Sequence, residues 1–381
     1  MAYQYNNKQI CIKCVMDTSD SKITFDENGI CYHCNNFYTN VKPIWDKNLN
    51  SPSILNKIID DIRSNNKEHD FDCILGLSGG IDSSFLLHKI VNEFRLKPLV
   101  FHVDGGWNSE LAVNNIQKLV EKLNLDLYTE VIDWEEMKDL QLAFFKSGVP
   151  HLDIPQDHAF ISVMYKFAEK FNIKYILNGG NYSTECVRNP LEWIYYGTDM
   201  PQIRDIHNKY GNSKLNNYPF SPILYHKLYL RYFKRIKRFE PLNYFPYNKK
   251  DAIEILSKQY GWKEYPQKHF ESRFTKFYEG YWLPVRFGFD TRKVQFSSLI
   301  LTGQMLREEA IKKLDTPAYD KENIHHEFKY ISTKLGITVD ELIKYRDMDK
   351  KTYKDYKNQR YLFNLGSRIL NILGIEKNIK R

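Results

Sequence analysis

The sequence has no long apolar run. No window approaches the 18 or more uncharged apolar residues that a membrane-spanning helix needs. The N-terminus, MAYQYNNKQICIKC, also lacks the basic start and apolar stretch of a secretory signal. We therefore expect a cytoplasmic protein with no membrane partner.

Excess charge of one sign is also small, because the formal net charge of the 381 residues is only +8. Such an excess fits an anionic ligand such as a nucleotide, an RNA-binding face or an ordinary lysine-rich composition. The basic run HKLYLRYFKRIKR, residues 226–238, could follow a phosphate chain, but its pattern favours a solvated amphipathic helix. We do not expect a nucleic-acid partner.

Cysteines are few, and four of the six form two closely spaced pairs, Cys11-x-x-Cys14 and Cys31-x-x-Cys34. In a cytosolic chain this spacing favours a metal site over disulfides. Four thiolates leave zinc no open position, so we predict a structural Zn²⁺ site. An iron–sulfur or redox role is the alternative, because sulfur-transferring enzymes use cysteines.

Short apolar runs alternate with helical patterns in the middle of the chain. The runs predict strands at 71–77, 98–104, 126–133 and 173–180, with helices at 83–94 and 108–124 and another ending at 167–172. This alternation predicts an α/β fold with a parallel, doubly wound sheet. We predict a zinc-binding N-terminal segment (1–45), an α/β domain (46–200) and a mostly helical C-terminal region (201–381) that completes the active site.

The first predicted strand runs into LGLSGGIDSS, residues 75–84. The two glycines let backbone N–H groups converge, and a helix beginning near Ser83 adds unpaired N–H groups and a positive dipole end. Three serine hydroxyls supply further donors for a phosphate or pyrophosphate. The acid would repel a bare anion but suits Mg²⁺ beside bound phosphates. The candidate site residues are Ser78, Gly79, Gly80, Asp82, Ser83 and Ser84.

This loop lacks the lysine of a Walker A motif and resembles the pyrophosphate loop of the N-type ATP pyrophosphatases, the PP-loop superfamily. The resemblance implies that residues 46–200 are an ATP-binding domain with an adenine nucleotide alpha hydrolase-like fold. The same resemblance implies ATP and Mg²⁺ as cofactors and ATP cleavage between the α and β phosphates. It also implies that the adenosine binds where Asp104 ends the second strand. Gly179 ends the fourth strand at the same edge of the sheet, where ligands of parallel sheets bind.

A late segment, residues 268–311, is dense in charged and aromatic side chains. Adenylation needs cations aimed at the α-phosphate and at the departing pyrophosphate. Arg273, Lys276 and Arg292, together with Asp82, are therefore candidates for catalytic roles. A surface helix with ion pairs four residues apart would explain the same residue types.

The cysteine quartet, LGLSGGIDSS, FHVDGGWNS, NGGNYSTE and HFESRFTKFYEGYWLPVRFGFDTR follow one another in this order. Over about residues 8–350 the chain thereby resembles the bacterial N-acetyl sugar amidotransferases of lipopolysaccharide O-antigen and of flagellin pseudaminic or legionaminic acid pathways. The resemblance implies that AMP is transferred to the acetamido carbonyl oxygen of the sugar. Ammonia then replaces that oxygen, which gives an acetamidino sugar, AMP and pyrophosphate.

The sequence gives weaker evidence for the sugar-binding residues and for the source of ammonia. His151, Asp157 and His158, between the third and fourth strands, and Glu185, after the fourth, are candidate sugar-binding residues, although histidines there are as often core groups. A glutaminase needs a nucleophilic cysteine, and no cysteine here has the required context. We expect ammonia to come from solution or from a separate glutaminase subunit.

The runner-up is a PP-loop tRNA-thiolating enzyme, which would explain the net charge and the cysteine pairs. It requires a reactive cysteine near the loop and salt-dependent RNA binding. Cys73 lies in an apolar run and Cys186 lacks a supporting motif, so this function ranks second. A nucleotide-binding regulatory protein without turnover is a third hypothesis, which the intact loop with Asp82 disfavours.

Overall fold

Five parallel strands form a sheet in the computed structural model, which describes residues 9–65 and 70–372. Residues 1–8 of the predicted zinc segment and 373–381 of the predicted helical region lie outside the described residues. The sheet order is β3-β2-β1-β4-β5. The strands are β1 Cys73–Gly76, β2 Pro98–Asp104, β3 Leu127–Val131, β4 Tyr175–Leu177 and β5 Lys237–Phe239.

Helices cover the sheet and form most of the remaining regular structure of the described chain. Two longer π-helical segments span Tyr225–Phe233 and Tyr278–Phe287. The α-helices are α1 Tyr32–Asn36, α2 Lys42–Leu49, α3 Pro52–Asn65, α4 Ile81–Asn92, α5 Glu110–Leu123, α6 Trp134–Ser147, α7 Ile154–Lys170, α8 Tyr182–Glu185, α9 Met200–Tyr210, α10 Lys249–Tyr260, α11 Arg273–Phe277, α12 Arg292–Leu301, α13 Arg307–Leu314, α14 Ile324–Leu335, α15 Val339–Asp347 and α16 Arg360–Ile372.

Both faces of the sheet are buried. Successive side chains of a strand point to opposite faces, so Cys73 and Leu75 pack with α3, α4, α5 and α10, whereas Ile74 packs with α6 and α7. Burial on both faces explains why β1 and β2 read as nearly continuous apolar runs. The predicted α/β fold with a parallel, doubly wound sheet is confirmed.

The order of the strands fixes where a ligand can bind. From β1 the chain builds β2 and β3 on one side, and later adds β4 and β5 on the other. Connections therefore leave β1 and β4 in opposite directions, which opens a crevice beyond their carboxyl ends. Since Ile74 pairs with Ile176, the loop after β1 lies beside the loop after β4.

All four predicted strands are present, and β2 has the predicted bounds. Helix α4 begins at Ile81, two residues before the predicted start. Helix α6 and strand β5 were not predicted. The basic run 226–238 is π-helical only to Phe233 and ends in β5, so the prediction of a helix is wrong at its end.

The C-terminal region is helical, as predicted. Helix α11 continues without interruption into the π-helical segment Tyr278–Phe287, which contains Pro284, a residue with no N–H to donate. The domain boundaries stay a prediction, although β5 joins the sheet from beyond residue 200. No helix in the described parts of the chain is both long and apolar enough to cross a membrane.

Candidate active site

The loop after β1 turns at Gly79, whose φ of +83° is left-handed. A Cβ at this position would lie 3.0 Å from the carbonyl oxygen of Ala112, so only glycine fits. The Gly79 carbonyl accepts hydrogen bonds from Trp262 Nε1 at 3.0 Å and from the Tyr265 hydroxyl at 3.1 Å. These two bonds satisfy the acceptor of the turn.

Donors dominate the rest of the loop. The hydroxyl oxygens of Ser78 and Ser83 lie 3.1 Å apart, and Ser78 Oγ also accepts the Gly80 N–H at 3.2 Å. Gly80 precedes the first turn of α4 and brings no side chain to cap it. The N–H groups of that turn have no side-chain acceptor, so this end of a twelve-residue helix suits an anion such as a phosphate.

Asp82 joins the loop to its neighbours. Its Oδ1 accepts hydrogen bonds from Asn181 Nδ2 at 3.1 Å and from the Tyr247 hydroxyl at 2.6 Å. Its Oδ2 lies 3.2 Å from Lys268 Nζ, which also pairs with Glu185 Oε1 at 2.5 Å. Burial would lower the pKa of Lys268, but the two carboxylates outweigh it and raise that pKa.

A cavity of about 820 Å³ opens above the loop, within the roughly 300–1,000 Å³ of small-molecule sites. Its walls come from the ends of β1, β2 and β4, from α7, from residues 262–279 and from α12. Nine of the residues assigned from sequence line it. They are Ser78, Gly80, Asp82, Ser83, His151, Asp157, Gly179, Glu185 and Arg292.

The structure does not bring Arg273 and Lys276 to the cavity, because neither is among the described residues that line it. Arg273 stacks 3.5 Å from the ring centroid of Tyr330 and donates to Glu327 at 3.1 Å. Lys276 pairs with the same carboxylate at 3.4 Å. Both cations lie on the side of α11 that faces α14, so the alternative of a helix with ion pairs fits them.

Other assignments also change. His158 Nδ1 donates to the Gly197 carbonyl at 2.9 Å, and His158 Nε2 accepts the Ser221 N–H at 3.2 Å. Burial lowers the pKa of His158 to about 4. His158 is therefore a structural residue rather than a sugar ligand. Ser84 is fully buried, and Asp104 accepts the Gly106 N–H at 2.8 Å; neither lines the cavity. Gly79 does not line the cavity either; its left-handed backbone makes the turn of the loop.

Arg292 lines the cavity, yet its guanidinium is committed to the protein. It pairs with Asp290 at 2.6 Å and donates to the carbonyls of Lys313 and Thr316 at 3.1 and 2.9 Å. Only 6% of the residue is exposed, so it stabilises the wall.

Three cationic residues that line the cavity were not assigned from the sequence. Lys268 and His269 precede α11 in an irregular segment, where no periodicity indicates the direction of a side chain. His269 has a φ of +67°, which is rare for a residue with a Cβ and marks a constrained position. Burial would lower its pKa, but Glu279, 3.1 Å away, raises it to about 9. Arg238 of β5 also lines the cavity.

Glu271 is a second acid beside the loop. A Cβ built on Gly80 would lie 2.2 Å from Glu271 Oε1, so the carboxylate lies against the backbone of the loop. Burial raises the pKa of Glu271. Two carboxylates, Asp82 and Glu271, thus flank the place where phosphates would bind.

One end of the cavity, at the start of α7, is acidic. Asp153 accepts a hydrogen bond from Thr275 Oγ1 at 2.6 Å, and its pKa is raised to about 7, first by burial and then by the charge of Asp157. Asp157 lies 3.4 Å from His151 Nε2, while His151 Nδ1 lies 2.9 Å from the Tyr195 carbonyl oxygen. With Glu279, this end presents mainly hydrogen-bond acceptors, as hydroxyl-rich ligands require.

Four buried cysteines form a cluster outside the cavity. The Sγ pairs Cys11–Cys34 and Cys14–Cys31 are 3.7 and 3.6 Å apart, and all four side chains are fully buried. Backbone N–H groups of Lys13 and Cys31 point at Cys11 Sγ at 3.4 and 3.2 Å. The cluster fits a metal ion.

Comparison with known proteins finds one family model that matches part of the C-terminal region. Residues 271–370 match the model described as LPS biosynthesis protein WbpG-like, C-terminal domain. No curated protein matches the chain.

Solved structures with similarity include an NH3-dependent NAD synthetase from Campylobacter jejuni subsp. jejuni NCTC 11168, 18% identical, with a TM-score of 0.28 over 57% of this chain and 93% of that one. NMN synthetase from Francisella tularensis is 16% identical, with a TM-score of 0.28 over 59% and 90%. The U34-tRNA thiolase NcsA from Methanococcus maripaludis, with its 4Fe-4S cluster, is 13% identical, with a TM-score of 0.32 over 85% and 88%. TM-scores this low carry no argument about this chain.

The strand order defines an α/β protein with a parallel sheet, and S-G-G-x-D-S directly after the central strand resembles a PP-loop. The family match supports the narrower resemblance to the N-acetyl sugar amidotransferases of surface-glycan pathways. Together they support an ATP-using enzyme of glycan biosynthesis.

Proposed function

We propose that this protein is an ATP-dependent amidotransferase that converts the acetamido group of an N-acetylated sugar into an acetamidino group. The products besides the sugar are AMP and pyrophosphate. The observation that carries the proposal is the donor-rich loop at residues 78–84, which opens into a cavity large enough for a nucleotide and a second ligand. The setting we infer is cytoplasmic synthesis of lipopolysaccharide O-antigen or of the nonulosonic acids of flagellin.

ATP would bind with its terminal phosphates in the loop. Ser78, Ser83 and the first turn of α4 offer the donors, while Asp82 and Glu271 are the carboxylates that would hold Mg²⁺. Bound Mg²⁺ would neutralise charge on the phosphates. Lys268 and the imidazolium of His269 would assist, in the roles that the sequence analysis assigned to Arg273 and Lys276.

The acetamido carbonyl oxygen is a poor leaving group, so the reaction must first activate it. The acetamido carbonyl oxygen attacks the α-phosphorus, the bond from that phosphorus to pyrophosphate breaks, and an O-adenylyl imidate forms. Ammonia adds to the imidate carbon, and the C–O bond breaks with release of AMP. The amidine keeps one proton as an amidinium, and one further proton leaves with pyrophosphate or solvent. An enclosed site limits hydrolysis of the imidate by water.

The sugar would occupy the acidic end of the cavity. His151 and Asp157 line the wall there, and Glu185 lines it beside Lys268. Sugar hydroxyls would donate hydrogen bonds to the acceptors of these side chains. Asp153 and Glu279 extend the same wall.

Ammonia would come from solution or from a separate glutaminase subunit. Among the described cysteines, Cys73 is fully buried and Cys186 is 4% exposed, and burial raises the pKa of both thiols. Neither lines the cavity, so neither is a candidate for hydrolysing glutamine at this site.

An isotope experiment tests the reaction. An N-acetyl sugar labelled with ¹⁸O in the acetamido carbonyl is incubated with the protein, ATP and ammonia, and the products are analysed by mass spectrometry. We expect a sugar lighter by one oxygen and heavier by NH, with the label in the phosphate of AMP. Asp82→Asn should abolish both signals, whereas Asp126→Asn, an exposed acid far along the chain, should not. Formation of ADP, or AMP without label, contradicts the proposal.

The runner-up remains a tRNA-thiolating enzyme, and the cysteine cluster is the observation that favours it. Zn–S bonds of about 2.3 Å in a tetrahedron separate the sulfurs by about 3.8 Å, close to the 3.6 and 3.7 Å found here, which favours one Zn²⁺ ion. Elemental analysis separates the two functions: one zinc per chain fits our proposal, whereas iron with acid-labile sulfide, and sulfur transfer to tRNA, would support the alternative.

A further inference from the structure

The 224–238 segment carries an apolar surface that the cavity does not explain. Leu224, Leu228, Tyr232 and Phe233 are 57%, 51%, 54% and 79% exposed, at spacings of four and one residues along a π-helical stretch. Leu230, on the other side of the stretch, is fully buried and anchors it to the protein. The apolar side chains are thus held outward by a fixed helix.

Charge on the same segment is of one sign. Residues 224–238 contain six Lys or Arg residues and no Asp or Glu. Lys227, Arg235 and Lys237 are exposed next to the apolar side chains. Lys234 reaches across to Glu169 at 3.3 Å, an acid of α7 outside the segment. An occupant of this surface must therefore offer both negative charge and an apolar layer.

We propose that the 224–238 segment docks on an anionic phospholipid membrane surface. The leucine and aromatic side chains would enter the boundary between headgroups and acyl chains, and the cations would contact the lipid phosphates. Exposed leucines favour this partner over RNA, because bases stack on aromatic rings but gain little from aliphatic chains. The helix would lie in the plane of the surface, which agrees with the finding that no described helix is suited to crossing a membrane.

Vesicle co-sedimentation of the full chain tests the proposal. We expect binding to vesicles of phosphatidylglycerol and phosphatidylethanolamine, and little binding to phosphatidylcholine alone. Leu228→Glu with Phe233→Glu should weaken binding by more than about tenfold. Arg235→Gln should weaken it about fivefold, and added salt should weaken wild-type binding further. Val113→Glu is the matched control, because it adds the same charge to a 49% exposed apolar side chain of α5, which packs on the other face of the sheet from Leu230, and it should change nothing.

Three results would overturn the proposal. The first is wild-type protein that stays in the supernatant with the anionic vesicles. The second is a loss of binding that is as large for Val113→Glu as for the double variant. The third is that the wild-type protein does not bind vesicles but self-associates or binds RNA, and that the double variant loses this association. Matching thermal unfolding curves for all variants would show that folding is not the cause, since the substituted side chains are exposed.

Discussion

A buried ion pair joins the cysteine segment to the wall of the cavity, and breaking it gives the sharpest prediction. Asp17 follows the first cysteine pair, and Lys293 lies in the first turn of α12. Lys293 Nζ is 2.5 Å from Asp17 Oδ2, and the two residues are only 5% and 1% exposed. The Ser19 N–H donates to the other oxygen of Asp17 at 3.0 Å. The pair is therefore shielded from solvent and well bonded.

Replacing Lys293 with methionine keeps the apolar stem but leaves the carboxylate of Asp17 buried and unpaired. Removing one partner of such a pair costs about 3–5 kcal/mol of stability, and the bonds to Ser19 favour the lower end. Asp17→Asn combined with Lys293→Met removes both charges and should recover most of that loss. The non-additive difference between single and double variants measures the coupling.

The effect must depend on pH with a defined sign. Burial would raise the pKa of Asp17, but Lys293 outweighs burial and lowers that pKa. The pair therefore contributes fully above the unfolded pKa of about 3.9 and is lost as pH falls through the lower folded value. In Lys293→Met the carboxyl can protonate, so its deficit relative to wild type should be largest near neutral pH and should shrink on acidification.

Urea unfolding followed by tryptophan fluorescence measures these differences, because the buried Trp193 donates to the Ser19 carbonyl at 3.2 Å in the same cluster. A loss of unfolding free energy below about 1 kcal/mol at neutral pH is typical of exposed ion pairs and would refute the reasoning. A deficit that grows on acidification would also contradict it.

Three further predictions concern the site. Lys268→Met should lower pyrophosphate release at least about a hundredfold, whereas Arg273→Met should leave the rate nearly unchanged, and equal losses would contradict the reassignment of the cations. Cys14→Ser should lower the metal content measured by elemental analysis, while Cys73→Ala should retain the metal. The pKa of His269 is raised to about 9, so its positive charge is present below that pH and lost above it. The affinity for α,β-methylene-ATP, measured by calorimetry, should therefore fall as pH rises through 9 in the wild type but not in His269→Gln.

Strands and loop could be predicted because local sequence determines them. A strand buried on both faces must be apolar throughout, and the turn after β1 requires glycine at position 79. Strand β5 escaped prediction because its residues, Lys237–Phe239, are mostly exposed at the edge of the sheet, so no apolar run marks them. Its place is set by pairing with β4, which is a long-range contact.

The cations could not be assigned for a related reason. Residues 273 and 276 are three apart on a helix and share one face, but only the position of α14 decides that this face looks away from the cavity. Lys268 lies outside any regular element, and it reaches Asp82 across 186 residues of chain. Ser84 was assigned to the loop because α4 was expected to start near Ser83; with the start at Ile81, the Ser84 side chain turns into the core.

The cysteine segment and the cavity meet through α12. One side of this helix faces the segment, where Ser297 Oγ accepts the Val15 N–H at 3.3 Å, and the other side lines the cavity with Phe296 and Leu299. Arg307 of α13 donates to the Cys11 and Cys14 carbonyls at 2.9 and 3.0 Å. If the cluster holds Zn²⁺ with no open coordination position, as the sequence predicts, it can influence the reaction only by fixing the wall. It follows that losing the metal should raise KM for the sugar before it lowers affinity for ATP, since the loop at residues 78–84 belongs to the sheet rather than to α12.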